Sequence, residues 1–138
     1  MLLKIINYEM KIFQIFCMFK SFETFPKSTN VTVLLLQVSD SPLLRRLEEG
    51  SLQHLPLTRA VNISHNPSLV YIHPAALQLQ TLQSLDISHN QLTSLEDMSA
   101  NLPGLQNIWV TGNSFVCHCS LHWLQKLLQQ HEKVQVGQ

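Results

Sequence analysis

The sequence predicts an α/β solenoid in which short parallel strands stack side by side. Three consecutive segments share one pattern of apolar residues and asparagine, and they read VNISHNPSLVYI, LQSLDISHNQLTSL and LQNIWVTGNSFVCHC. The steps of 24 and 23 residues between Asn66, Asn90 and Asn113 fit a repeat period of about 20–29 residues. Within each copy, apolar residues alternate at period two just before the asparagine, which indicates a short strand with one buried face.

The shared pattern is L-x-x-L-x-L-x-x-N-x-L, which identifies the segments as leucine-rich repeats. Leu85 and Ile87 are expected to enter the core from one strand, and Asn90 to turn inward behind them. The buried amide can then hydrogen-bond loop backbone groups that no strand neighbour satisfies. The predicted fold is a leucine-rich repeat solenoid with short parallel strands on the concave face and a C-terminal cap helix.

About four repeats are predicted over residues 31–115. A degenerate first unit has Ser41 in the asparagine position, and the units cover Leu36–Leu52, Val61–Leu77, Leu82–Leu102 and Leu105–Phe115. Their strands are predicted near Leu35–Val38, Ala60–Ile63, Ser84–Ile87 and Asn107–Val110. Parallel pairing is expected because every unit runs in the same direction and returns on the convex side.

Composition favours a single recognition domain. The chain has 138 residues, is 45% hydrophobic and 13% charged, and has a formal net charge of zero. The sequence has no cluster of basic residues that would indicate nucleic-acid binding. No apolar run reaches the roughly 18–20 residues of a membrane helix. The sequence contains no G-x-S-x-G, H-E-x-x-H or Gly-rich phosphate motif. We therefore expect no enzyme activity, no cofactor and no small-molecule substrate.

The segment CHCSLHWLQKLLQQH follows the last repeat, within residues 116–138. Ser120 can cap a helix, and apolar residues then recur at helical spacing at Leu121, Leu124, Leu127 and Leu128. Trp123 lies one position from this stripe and is expected to pack beside it. The segment resembles the Cys-rich C-terminal cap of extracellular leucine-rich repeat proteins, which begins Pro-Phe-x-Cys-x-Cys and continues Leu-x-Trp-Leu.

Cys117, Cys119, Leu121, Trp123 and Leu124 match that cap, whereas a serine precedes Phe115 where the family has proline. In the family the two cysteines pair with two more farther on, and no cysteine follows here. The resemblance therefore implies an incomplete cap and a chain that is either a fragment or a truncated gene model, with a membrane anchor expected only outside this sequence.

The cysteines and nearby histidines also allow a zinc interpretation. Cys117, His118, Cys119 and His122 lie close together, but zinc sites use a C-x₂₋₄-C spacing and a distant second pair. A direct Cys117–Cys119 disulfide would be strained. Free thiols are the expectation for this chain.

His65 and His89 each precede a ladder asparagine and are expected to stack on neighbouring strands. Two stacked histidines with Asp86 one strand position away offer a second metal hypothesis. The absence of a further ligand favours a structural role instead.

The first 30 residues do not follow the repeat pattern. Apolar residues are interrupted by Lys4, Glu9, Lys11 and Lys20, and the stretch Ile12–Phe19 is a weak signal-peptide core without a cleavage motif. Two interpretations stay open, namely a weak signal peptide and a non-repeat start, such as a mis-predicted exon, that forms a loose amphipathic helix. The boundary with the repeats is placed near Asn30.

Two glycosylation sequons, at Asn30 and Asn62, accompany the Cys-x-Cys cap. Together they favour an oxidising, extracellular or cell-surface location.

The segment Asn66 to Ala75, with its Asn-Pro-x-Leu-x-x-Ile-His-Pro-x-Ala pattern, carries a more specific resemblance. With the cap, it resembles leucine-rich repeat neuronal proteins and their insect relatives of the Tartan/Capricious type. Trk-type receptors, Slit-like secreted proteins and Toll-like receptors share the same cap start. The resemblance implies an adhesion or receptor ectodomain that binds a protein ligand or cell-surface receptor. The alternative is a fragment without independent function.

The concave face is the expected binding surface, because residues between the two core positions of a strand point outward. In order, these residues are Gln37, Asn62, Asp86 and Trp109, with Ser39, Ser64, Ser88, Thr111, Asp40, His65 and His89 beside them. A glycan on Asn62 would block that part of the face. We therefore predict partner contacts at Asp86, His89 and Trp109. The alternative for Trp109 is packing under the C-terminal cap.

Overall fold

The computed structural model describes residues 3–8, 12–17, 35–52, 57–116 and 121–130. Its main sheet contains six strands in the spatial order β1-β2-β3-β5-β7-β8, and β4 and β6 form a second, two-stranded sheet. The strands are β1 Leu3–Tyr8, β2 Ile12–Cys17, β3 Leu35–Ser39, β4 Arg46–Leu47, β5 Ala60–Ser64, β6 Tyr71–Ile72, β7 Ser84–Asp86 and β8 Asn107–Trp109. A 3₁₀ turn covers Ser99–Asn101, and helix α1 covers His122–Gln130.

The four predicted repeat strands pair in parallel and in register, which confirms the predicted solenoid architecture. Leu36 pairs with Val61, Val61 with Leu85, and Leu85 with Ile108. These four apolar side chains lie in one buried row, with 0–2% of their surface exposed. Similar repeat lengths, with steps of 25, 24 and 23 residues between paired positions, place equivalent residues side by side, so each strand buries its apolar face against the next repeat.

The core is continuous through the repeats. Leucines enter it ahead of the strands, and further apolar side chains follow the asparagine and turn the chain back beneath it. The most deeply buried of these are Leu44, Leu47, Leu52, Ile63, Leu69, Leu77, Leu79, Leu82, Ile87 and Leu92. The period-two positions predicted as core residues, such as Leu85 and Ile87, are therefore confirmed.

A ladder of asparagine amides joins the repeats behind the sheet. Asn90 donates to the carbonyls of Ile63 (2.7 Å) and Ile87 (2.8 Å), and its side-chain oxygen accepts from the Asn66 backbone N–H at 2.9 Å. Asn66 makes the corresponding bonds to the first repeat, donating to Val38 and accepting from the Ser41 N–H. Each amide therefore satisfies backbone groups of two consecutive repeats, as the sequence predicts.

Ser41 occupies the ladder position of the first repeat and is fully buried. Its hydroxyl donates to the Ser39 carbonyl at 3.4 Å, within its own repeat. The shorter side chain therefore makes a weaker local contact in place of an amide bridge.

The return path on the other side of the strands is held by small pairings. β4 pairs in parallel with β6, and the Arg46 guanidinium lies 4.5 Å from the centre of the Tyr71 ring. Partial burial, followed by the charge of Glu96, raises the pKa of Tyr71 above its ordinary value of 10.0.

The C-terminal helix closes the end of the core, as predicted. Trp123 and Leu124 are buried, at 7% and 6% exposure, and Leu121 and Leu127 are partly buried beside them. The Trp123 indole N–H donates to the Leu95 carbonyl at 3.0 Å. Trp123 thus packs into the core, beside the leucine stripe, as the sequence predicts.

The amphipathic helix expected before residue 30 is wrong for residues 3–8 and 12–17. These residues form the strands β1 and β2, which pair antiparallel, and β2 pairs in parallel with β3. Runs such as IFQIFC contain β-branched and aromatic residues, which favour strands when a sheet edge is available. The main sheet therefore extends past the predicted repeat boundary near Asn30, whose residues lie outside the described part of the chain.

Candidate protein-binding face

One row of side chains crosses the concave face through the middle of the four repeat strands. Gln37 pairs with Asn62, Asn62 with Asp86, and Asp86 with Trp109. The first three are half-buried, while Trp109 is exposed. The alternation that buries Leu85 on one side places Asp86 on the other. We call these four residues the central row.

The Asp86 carboxylate is oriented by Ser88, a buried residue two positions later in its own repeat. Its Oδ1 accepts from the Ser88 backbone N–H at 2.9 Å and from the Ser88 hydroxyl at 2.5 Å. The structure gives Oδ2 no hydrogen-bond partner among the described residues. One carboxylate oxygen is therefore fixed by the fold, and the other is open to a ligand.

Asn62 is held in a similar way on the neighbouring strand. The Ser64 hydroxyl donates to its Oδ1 at 2.6 Å, so the Asn and Ser of this sequon are already in contact. Asn62 lies within β5 and is half-buried. Glycosylation at Asn62 stays a prediction. The asparagine of the other sequon, Asn30, lies outside the described residues.

Trp109 and Trp123 have contrasting environments. The Trp109 side chain is 38% exposed, whereas Trp123 is 7% exposed and hydrogen-bonded. In the described part of the chain, the Trp109 indole N–H has no hydrogen-bond partner. A large aromatic side chain with exposed apolar surface is typical of binding hot spots.

The residue before each ladder position has a left-handed backbone. The φ angles are 52° at Asp40, 57° at His65, 54° at His89 and 71° at Gly112. This conformation follows the end of each strand and turns the next residue inward, and Asp, His and Gly adopt it more readily than most residues. The four residues, which we call the left-handed column, run parallel to the central row.

The histidines of the left-handed column stack as predicted. The ring centres of His65 and His89 are 4.6 Å apart, with planes inclined by 20°. The His89 ring lies over Gly112, where an added Cβ would be 2.9 Å from the ring carbon Cγ. The column borders an open groove of about 520 Å³, also lined by Pro42, Pro67 and Gln91, which is large enough for several side chains of a partner.

The stacked histidines are poorly arranged for a shared metal ion. A metal binds in the plane of each imidazole at about 2.0–2.1 Å, and two stacked rings whose centres are 4.6 Å apart and whose planes are inclined by only 20° do not direct their nitrogens at one such point. Within the described ranges, no group of three His, Cys, Asp or Glu side chains could hold a metal ion. Cys117 and Cys119 lie outside those ranges, so their thiol state stays a prediction.

The sequence identified the central row but missed how its side chains are held. The sequence does contain a signal for these hydrogen bonds. In both cases a Ser follows two residues after the Asp or Asn of the central row, as in Asp86/Ser88 and Asn62/Ser64. Such pairs form local hydrogen bonds between side chain and loop. The backbone turn at Gly112 could have been anticipated because glycine precedes Asn113, but its contact with His89 could not.

Comparison with known proteins supports the architecture. Residues 80–117 match the family model described as leucine-rich repeats in two copies. The fold is a leucine-rich repeat solenoid. Such solenoids generally serve as protein–protein interaction modules and present a concave surface for binding.

Two mammalian receptors are similar to this chain. They are the high affinity nerve growth factor receptors of Mus musculus and Rattus norvegicus, each 33% identical over 96 residues. The match covers 69% of this chain and 12% of each receptor. The chain thus spans a small part of the length of these relatives. None of the described helices is long and apolar enough to cross a membrane.

Proposed function

We propose that this chain is a protein-recognition module whose partner contacts Asp86, His89 and Trp109 on the concave face. The observation that carries the proposal is the exposure of Trp109 at the end of the central row. Asp86 lies next to it on β7, and His89 follows on the same repeat with its ring exposed. An exposed aromatic with polar neighbours is the arrangement expected of a protein interface.

We further propose that the intact protein acts at the cell surface, as an adhesion or receptor ectodomain. The two similar proteins are receptors by name, and the sequons and the Cys-x-Cys motif favour an extracellular location. A resemblance to Tartan/Capricious-type proteins favours adhesion within this class, whereas the similar proteins favour a growth-factor receptor. A soluble protein ligand and a cell-surface receptor are accordingly the two partner types to screen.

The test uses the full chain, tagged and purified, against an array of purified ectodomains and secreted ligands. A hit is then measured with Trp109→Ala and with Val70→Ala, which removes a comparable exposed apolar side chain elsewhere, at 48% exposure. We expect Trp109→Ala to weaken binding by at least about tenfold, as hot-spot residues do, and Val70→Ala to leave it unchanged.

Melting curves of the three proteins complete the test. Trp109→Ala should melt within a few degrees of the parent. If Trp109→Ala binds like the parent, or melts at a much lower temperature, Trp109 has a structural role and the proposal is overturned. A parent chain that shows no cooperative unfolding would instead favour a fragment without independent function.

A further inference from the structure

Two carboxylates and no Lys or Arg side chain occupy the rows of the concave face over the four repeat strands. Asp86 lies in the central row and Asp40 in the left-handed column. None of the positions of the central row, the left-handed column or the strand-end row of Ser39, Ser64, Ser88 and Thr111 carries Lys or Arg. Since the whole chain has a formal net charge of zero, these rows are more acidic than the rest of the chain taken together.

The carboxylate and the indole are neighbours by sheet register. Asp86 pairs with Trp109 across two parallel strands, which are about 4.8 Å apart in any sheet. Ser88 holds one carboxylate oxygen, so the other is presented on the face beside the exposed ring. A cation placed there would contact an anion and an aromatic face at once.

We propose that the protein partner inserts a Lys or Arg side chain between Asp86 and Trp109. The Asp86 carboxylate accepts a charge-assisted hydrogen bond from the ammonium or guanidinium, and the Trp109 ring supplies a cation–π contact, for which Trp is the best aromatic. This inference rests on the proposed protein-recognition function and adds the chemistry of the group that is recognised. An acidic partner side chain would meet Asp86 without a compensating cation.

The test is a titration of the full ¹⁵N-labelled chain with n-propylguanidinium chloride, which carries the charge and shape of an Arg side-chain end. Sodium butyrate at the same ionic strength is the opposite-charge probe. The indole N–H signals of Trp109 and Trp123 are assigned with Trp109→Phe. We expect a saturable shift of the Trp109 signal with guanidinium only, while the Trp123 signal, which belongs to a buried indole, stays still.

The chain offers a matched control for the carboxylate. Asp97 has the same local arrangement as Asp86, since its Oδ1 accepts from the Ser99 N–H at 2.9 Å and from the Ser99 hydroxyl at 2.6 Å, but it is exposed in a loop. Asp86→Asn keeps an oxygen for Ser88 and removes the charge. We expect Asp86→Asn to weaken guanidinium binding by about fivefold, the upper end for an exposed charge pair, and Asp97→Asn to leave it unchanged.

Equal binding by Asp86→Asn and the parent would overturn the proposal. Equal losses with Asp86→Asn and Asp97→Asn, or a similar response to butyrate, would also overturn it, because the response would then not depend on this site. The proposed function is tested separately: if Trp109→Ala abolishes partner binding while Asp86→Asn binds guanidinium like the parent, recognition stands and the basic side chain is wrong.

Discussion

Replacing Asn90 with alanine tests whether the amide ladder holds the repeats together. The substitution removes two donors, to the Ile63 and Ile87 carbonyls, and one acceptor, for the Asn66 N–H. The Ile87 carbonyl still accepts from Asn113 at 2.9 Å. The Ile63 carbonyl and the Asn66 N–H lose their hydrogen bonds to the Asn90 side chain. Asn90 is only 2% exposed, so water has little access to replace them.

The magnitude follows from those two groups. A buried polar group left without its partner costs about 1–3 kcal/mol, so Asn90→Ala should lower the free energy of unfolding by about 3 kcal/mol. For a chain of this size, that corresponds to a fall in melting temperature of about 10 °C. The measurement is urea unfolding followed by far-UV circular dichroism and by tryptophan fluorescence.

Asn113→Ala is the matched control, because Asn113 makes the same kinds of bonds at a partly exposed position. Water can replace its amide there, so we expect a loss of about 1 kcal/mol. If Asn90→Ala costs no more than Asn113→Ala, the buried ladder is not a major source of stability and the reasoning fails.

The remaining predictions concern the core, the left-handed column and the return path. Leu85 has no exposed surface, so Leu85→Ala should lower the free energy of unfolding, measured with urea, by about 2–5 kcal/mol. A loss below about 1 kcal/mol would be inconsistent with a packed core. Gly112→Ala should lower the free energy of unfolding by about 1–2 kcal/mol, because φ is positive at this position. It should also shift the His89 ring signals in NMR spectra, since the new Cβ would contact that ring. Unshifted signals would argue against the contact. The raised pKa of Tyr71 means that the native state holds this proton more tightly than the unfolded chain, so this contribution is present below pH 10 and is lost as pH rises further. Urea midpoints measured above and below pH 10 should therefore fall less in Tyr71→Phe than in the parent, and equal falls would contradict the assignment.

The repeats could be predicted because their signal is local and is written more than once. Alternation around Leu85 and Ile87 defines a buried strand face, and the recurrence of asparagine defines the register between strands. Asp86 and Trp109 follow from the same alternation as outward neighbours. The central row was thus predicted in full, although its role in binding stays a proposal.

The sequence alone was a poor guide to the segment before the repeats. Residues 3–8 and 12–17 have no repeat pattern, and their alternation is too irregular to decide between helix and strand. Residues 12–17 pair with β3 and residues 3–8 pair with residues 12–17, and this pairing supplies the hydrogen bonds that an isolated segment lacks.

By itself, the sequence determined the repeat period, the buried positions, the parallel order of the repeat strands and the outward row that ends in Trp109. These properties depend on spacing within one repeat and on the recurrence of that pattern in successive repeats. Three features were decided only by the tertiary structure. They are the distance between the stacked rings of His65 and His89, the position of the His89 ring over Gly112, and the hydrogen bond from Trp123 to Leu95. Each of these joins residues more than 20 positions apart, so its geometry depends on how neighbouring repeats pack, which no local pattern of side chains encodes.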